Sequence, residues 1–321
     1  MNVRIKHLLT LTLLLMSGVV LAQAFPSKAV RLVVPFGPGG VADLTARAVA
    51  QGMSQGLGQS VVIDNRPGAG GVLAGETVAR AEPDGHTLLL ISNGTAVSAG
   101  LFKTLPYDTL ADFAPISTLA FFDLGIVTGA PGRFKDLAAL LTYARANPGK
   151  FNLGSINVGS TQHLAAELFK TLSGVPMQIV PFNGTPALIV ALRGGQVDAA
   201  VEILGPVLPQ IKSGALGLLA VGGERRNAGF PDVPTVIESG VGGYMVSSWN
   251  ALAAPARTPR PVIDRLQREI NTALANPAIA RQLRELNVEA RASSPEQTAE
   301  LLRSEVRRWT DVIQRSGVPR Q

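Results

Sequence analysis

Positions 35–43 read Pro-Phe-Gly-Pro-Gly-Gly-Val-Ala-Asp, and residues of these types in this order build an anion site. The apolar run Leu32-Val33-Val34 stops at Pro35, a glycine-rich turn follows, and from Asp43 the apolar residues recur at helical spacing as far as Leu57. A strand that turns through glycines straight into a helix leaves backbone N–H groups free at the helix start, at the positive end of the helix dipole. Phe36, Gly39, Gly40 and Val41 are therefore candidate ligand contacts, and Asp43 joins them as the acid beside the loop. Asp43 reads as an acceptor of N–H groups that fixes the Gly39-Gly40 turn, in preference to a general base.

A second segment has the same character. Gly154-Ser155-Ile156-Asn157-Val158-Gly159-Ser160-Thr161 leads into a helix with Leu164, Leu168 and Leu172 on one face. Ser160 or Thr161 is a natural cap for that helix. Ser155, Val158, Gly159, Ser160 and Thr161 are candidate contacts that would hold a carboxylate from the side opposite the first loop. His163, one turn into the helix, either reaches the cleft or satisfies a core hydrogen bond. Ser92 and Asn93 follow another strand, and Phe182, Asn183 and Gly184 lie in a loop at 181–186; these too are candidate contacts. Glu202 ends a further strand. Facing the cleft it would meet a ligand ammonium or a bridging water, and otherwise it sits at the rim.

The same residues argue against other chemistries. Neither loop ends in Gly-Lys-Ser/Thr, so neither is a P-loop. The glycine spacing is not the dinucleotide fingerprint, and no Gly-x-Ser-x-Gly elbow occurs. The chain has no cysteine and three histidines, which argues against zinc, and no acidic cluster has calcium-loop spacing. Nothing assembles a nucleophile, a base and an orienter. The net charge of +6 is dispersed and aromatics make up only 5%, so no nucleic-acid surface is expected. The expectation is a binding protein, not an enzyme, with no cofactor and no metal.

These loops need a scaffold, and the hydrophobic pattern supplies one. Strands are predicted at 30–34, 60–63 and 86–91, with helices at 43–57 and 72–80 between them. After an apolar segment at 119–127 a second series begins, with helices at 134–146, from 160 onward and at 187–193. Its strands fall at 151–153, 177–180, 197–203 and 216–221. An apolar stretch at 249–254 stops at Pro255. Ser294-Pro295-Glu296-Gln297 is a capping box that opens a last helix, with Leu302, Val306, Trp309 and Ile313 in its apolar stripe and Gly317 at its end. Trp309 reads as core and Trp249 as core or hinge packing. Alternating strands and helices predict a parallel sheet covered on both faces, with ligands beyond the carboxyl ends of the strands. Two such series imply two lobes and a cleft. Residues 1–24 carry Arg4 and Lys6, an apolar stretch at 8–21 and Ala22-Gln23-Ala24, the pattern of a cleaved secretory signal peptide. The remainder is read as an exported, free periplasmic protein.

Six ordered motifs carry a resemblance. They are Val33-Val34-Pro35-Phe36-Gly37-Pro38-Gly39-Gly40 with Asp43 and Arg47; Asn65-Arg66-Pro67-Gly68-Ala69-Gly70-Gly71; Pro83-Asp84-Gly85-His86-Thr87-Leu88; Gly159-Ser160 with His163-Leu164-Ala165; Gly194-Gly195-Gln196-Val197-Asp198; and Pro231-Asp232-Val233-Pro234-Thr235. From about Phe25 to its end the chain resembles a Bug-type solute-binding protein of the tripartite tricarboxylate transporter system. The resemblance implies an α/β, type II periplasmic binding-protein fold whose two lobes close on the ligand by a hinge motion. Residues 25–124 and 247–321 would form one lobe and 125–246 the other. It implies a small carboxylate ligand (a mono-, di- or tricarboxylate or an acidic amino acid) held between the two loops, partly through bridging waters. It also implies delivery to a permease with a large and a small membrane subunit, by a protein read as a monomer. Presentation of the ligand to a membrane sensor kinase is the alternative. Where the family commonly has small hydroxyl residues, this chain has Val41 and Ala42, which leaves backbone N–H groups to do the binding.

Overall fold

The computed structural model describes residues 25–129, 133–156, 158 and 160–321; the predicted signal peptide and Gly159 lie outside the described residues. Strands β1 (Val30–Val34), β2 (Val61–Asn65) and β3 (Thr87–Ser92) pair in parallel, with Leu32 opposite Ile63 on one side and Leu88 on the other. Their side chains alternate between two apolar layers. Leu32, Val34, Leu88 and Leu90 pack with Ala46, Val49 and Met53 of helix α1 (Val41–Leu57). Val33, Leu89 and Ile91 pack with Ala74 and Val78 of α2 (Val72–Ala79) and with Ala96, Val97 and Leu101 of α3 (Asn93–Leu101). Burial on both faces is why β1 and β3 read as unbroken apolar runs, whereas the edge strand β2 leaves Val62 exposed.

Strand β4 (Phe113–Thr128) is 16 residues long and serves two groups of strands. Phe113 to Asp123 run antiparallel to β9 (Ser247–Pro255), and β9 in turn runs antiparallel to β3. Leu124 to Thr128 run antiparallel to β7 (Ala199–Ile203) and β8 (Gly217–Val221). Beyond β7 the sheet continues in parallel through β5 (Asn152–Ile156) and β6 (Gln178–Phe182). The order is β2-β1-β3-β9-β4-β7-β5-β6, with the two-residue β10 (Glu289–Ala290) also on β4. The sheet is thus mixed, where alternation alone predicted a parallel one. Every antiparallel pairing involves β4 or β9, and periodicity carries no information on direction.

Helices α4 (Leu137–Ala146), α5 (Thr161–Ser173), α6 (Thr185–Arg193) and α7 (Leu204–Lys212) belong to the second series. Helices α8 (Arg260–Ala275) and α9 (Pro277–Glu285) pack against α1. The last helix, α10 (Pro295–Ser316), has the predicted capping box at Ser294 and Gln297 and ends at Gly317 with φ 63°. It lies across α3, β4 and α5, and Trp309 is fully buried with Nε1 donating to Glu305 Oε2 at 2.9 Å. No described helix is long and apolar enough to cross a membrane.

Helices α7, α8 and α9 have no counterpart in the sequence reading, and two further segments differ from it. Asn93–Leu101 is a helix where a loop was read; its two glycines and its Thr, Val and Ser make it a poor intrinsic helix, and packing with the Ser92–Thr95 capping box sustains it. The segment at 119–127 is the end of a longer strand. Pro115 masks its beginning, and it is tolerated because the β4–β9 register shifts there, between Pro115 and Ser117 and again between Thr118 and Ala120.

Candidate functional site

Six strands, β1, β2, β3, β5, β6 and β7, each lead into a helix, β2 through a short turn at Ala69–Gly71, so six helix starts follow the carboxyl ends of strands. Ser92 caps α3 and Ser160 caps α5 with their side chains. The N-caps of α1, α6 and α7 are Gly40, Gly184 and Ile203, and none makes a side-chain cap hydrogen bond. The first N–H groups of these helices therefore have no side-chain cap, although Pro186 in α6 and Pro206 in α7 supply no N–H.

The first loop is held open by a small polar frame. Gly39 adopts φ 84°, a left-handed conformation that favours glycine. Its N–H donates to Asp43 Oδ2 at 2.9 Å, and Arg47 Nε donates to the same oxygen at 2.9 Å. Asn65 Nδ2 donates to Asp43 Oδ1 at 2.8 Å and to the Phe36 carbonyl at 2.9 Å, while Asn65 Oδ1 accepts from Arg47 at 3.0 Å. Burial alone would raise the pKa of Asp43, but hydrogen bonds from Arg47, the Gly39 N–H and Asn65 outweigh it and hold the carboxyl below its usual range. Asp43 is thus an internal brace with both oxygens occupied. Arg47 and Asn65, two motif residues not singled out as site residues, complete it.

Around this frame, Phe36 is 37% exposed, and a Cβ on Gly94 would lie 3.8 Å from its ring. Val41 and Ala42 turn inward, packed in the core beside Val34. Val41 Cγ2 comes within 3.1 Å of the place a Cβ would take on Gly205, in the first turn of α7. The starts of α1 and α7 therefore meet, bringing the two strand groups together at this edge. Ser92 Oγ accepts from the Gly94 N–H at 3.1 Å. Asn93 is buried and donates from Nδ2 to the Ser247 carbonyl at 2.9 Å, leaving its Oδ1 without a partner among the described residues.

In the second loop Ser160 Oγ accepts from the His163 N–H at 3.0 Å and donates to the Ile156 carbonyl at 2.6 Å. Ser155 is buried with an unpartnered Oγ, Thr161 is buried, and Val158 is 50% exposed. Burial pushes the His163 pKa below the histidine norm, partly offset by Glu167, so the ring is neutral at pH 7. Phe182 is half-buried, Asn183 exposed, and Gly184 takes φ 88° before α6.

Glu202 lies deeper than its position at a strand end suggested. It is 0% exposed, and it accepts from Gln162 Nε2 at 2.8 Å, Thr185 Oγ1 at 2.9 Å and the Ile203 N–H at 2.7 Å. Gln162 belongs to α5 and Thr185 to α6, so one carboxylate ties together the starts of two helices. Burial raises its pKa, and these bonds offset that only in part. Nothing in the local sequence marks Gln162 and Thr185 for this role, because the contact joins three separate elements. No group of three or more His, Asp or Glu side chains suited to a metal occurs among the described residues.

Over residues 45–318 the sequence matches a family model described as tripartite tricarboxylate transporter family receptor. A solved structure described as periplasmic binding protein BugD is 31% identical with a TM-score of 0.82, covering 92% of this chain and 100% of that one. Rpa4515 of R. palustris, solved with adipate, is 33% identical with a TM-score of 0.84 and coverage of 91% and 98%. MatC (Rpa3494) of Rhodopseudomonas palustris, solved with bound malate, is 33% identical with a TM-score of 0.79 and coverage of 90% and 100%.

Proposed function

The chain belongs to the tripartite tricarboxylate transporter family of receptors, as a Bug-type solute-binding protein of type II periplasmic fold and not an enzyme, and from that premise we propose that it captures a small carboxylate and delivers it to a membrane permease. The observation that carries this reading is the start of α1. Its N-cap Gly40 makes no side-chain cap hydrogen bond, and the turn before it is braced by an acid whose oxygens are already occupied. Such a site offers donors and no free base, which suits an anion that is held and released unchanged. The adipate and malate of the two R. palustris structures support a carboxylate as that anion.

In this reading Phe36, Gly39 and Gly40 meet the ligand from one lobe, with Ser92 and Asn93 beside them. Ser155, Val158, Ser160, Thr161 and the 182–184 loop meet it from the other. Asp43 and Glu202 act as braces. The lobes are residues 25–124 with 247–321, and residues 125–246. The exchange of β4 partners between Asp123 and Leu124, and the start of β9 at Ser247, support those boundaries. Residues 1–24 direct export to the periplasm. A large and a small membrane subunit receive the ligand, and the protein acts as a monomer.

The test is a thermal-shift screen of the purified protein lacking residues 1–24 against mono-, di- and tricarboxylates, aromatic acids and acidic amino acids. A ligand that binds only the folded state at a hundred times its Kd stabilises it by about 2.7 kcal/mol, several degrees of Tm for a chain of this size. A flat response across the panel would overturn the reading.

A further inference from the structure

Asn250 is the side chain with the least explained burial. It is 1% exposed, and neither its Oδ1 nor its Nδ2 has a hydrogen-bond partner among the described residues. A carboxamide offers two donors and two acceptor lone pairs, and folded proteins rarely bury one wholly unmet.

Its address is informative. Along β9, Trp249, Ala251 and Ala253 face the layer of α2 and α3, whereas Leu252 and Ala254 face the layer of α1. Strand alternation puts Asn250 on the α1 side. It lies opposite Ser92, the last residue of β3, and opposite Ala120 on β4. Val41 and Ala42, the first turn of α1, belong to the same apolar layer as Ala120. The unmet amide therefore shares a sheet face and a sheet edge with the uncapped start of α1. The β4–β9 register shifts between Thr118 and Ala120, directly beside it. Such irregularities re-aim side chains and recur beside binding sites.

The charged groups around the loops narrow what it can read. Both oxygens of Asp43 and both of Glu202 are engaged internally, so neither is a free counter-charge for a ligand ammonium. Arg47 spends Nε on Asp43 and Nη2 on Asn65, so its charge is already partnered within the protein. With these charges already partnered, the buried neutral amide beside the loop is the group left to read the rest of the ligand. A hydroxyl matches an amide at both ends, accepting from Nδ2 and donating to Oδ1, and a plain aliphatic carboxylate lacks the donor. We propose that Asn250 is a specificity residue that reads a hydroxyl on the bound carboxylate, making hydroxycarboxylates the substrate class of this protein. The proposal rests on the carboxylate reading above.

Matched pairs test it: malate against succinate and lactate against propionate, titrated calorimetrically into the protein and its Asn250→Leu variant, with adipate alongside. The hydroxylated member of a pair is expected to bind wild type at least tenfold tighter, because an analogue without the hydroxyl leaves the buried amide unmet. Asn250→Leu keeps the volume and removes the polar group, so it should fold with an equal or higher Tm and bind both members alike. Asn250→Val serves the same comparison if the leucine variant does not fold. Wild type without the hydroxyl preference, or binding adipate alone, overturns the proposal whatever the variants do. So does a preference that survives in the variant, whether or not its Tm falls, since the amide would then be structural. A wild type that binds no carboxylate in the wider screen fails the earlier reading instead.

Discussion

Asp43 and Glu202 are carboxylates beside helix starts, one for each strand group, and burial acts on them with opposite net results. Asp43 receives enough donors to stay below the normal carboxyl pKa. Its ionised form therefore stabilises the fold fully above the unfolded value of about 3.9, and that contribution is lost as pH falls through the lower folded value. Glu202 is raised by burial, so the folded state holds its proton more tightly than the unfolded state does. What it contributes is complete below the unfolded value of about 4.3 and is lost as pH rises through the folded one. Glu202→Gln should remove this loss: relative to wild type the variant should gain stability between pH 4.5 and pH 8, read from urea midpoints. An unchanged difference across that range would mean that the carboxylate is comfortably ionised in place. The role of Asp43 was legible because an acid in the first turn after a glycine loop has only local N–H groups to meet. That of Glu202 was not, because Gln162 and Thr185 reach it from helices that the sequence keeps far apart.

Among the elements, the start of α1 bears the most functional weight and is tolerant of substitution in one respect. Gly40 has φ −78°, open to any residue, and a Cβ built on it meets nothing nearer than the Gly37 carbonyl at 4.0 Å. Gly40→Leu should therefore fold, with a Tm within a few degrees of wild type, while its side chain covers the uncapped N–H groups and lowers carboxylate affinity at least tenfold. Wild-type affinity in that variant would move the site away from this loop. The glycine turn, β1 to β3 and the capped α10 were readable because each signal is local: an apolar run, a proline stop, a capping box. Helix α3 was not, since in Asn-Gly-Thr-Ala-Val-Ser-Ala-Gly-Leu the two glycines and the Asn, Thr, Val and Ser outweigh the alanines and the leucine. Its fit depends on α10, where a Cβ on Gly100 would come within 2.8 Å of Thr310 Oγ1. A partner two hundred residues away in sequence leaves no mark on the local pattern.

For the molecule as a whole, two strand–helix series were visible in the sequence, whereas their joining through β4 was not, because strand direction and partner exchange leave no periodic trace. One apolar layer runs through both groups, from Val33 and Ile91 to Leu164 and Phe169, with Trp249 and Trp309 within it. The place of β9 has a kinetic meaning. It fills the gap between β3 and β4, yet it follows the whole of residues 129–246 along the chain. Until it arrives, β3 and the first part of β4 present unpaired edges, the usual templates for intermolecular pairing. A fragment of residues 25–129 should therefore aggregate or melt without cooperativity, and a sharp two-state transition in that fragment would refute this. Closing so long a loop before its contacts form makes for high contact order and slow folding. Any cell that makes this protein must shelter an unfinished sheet until nearly four-fifths of the chain has emerged, so its yield is expected to depend on holdase chaperones more than its final stability would suggest.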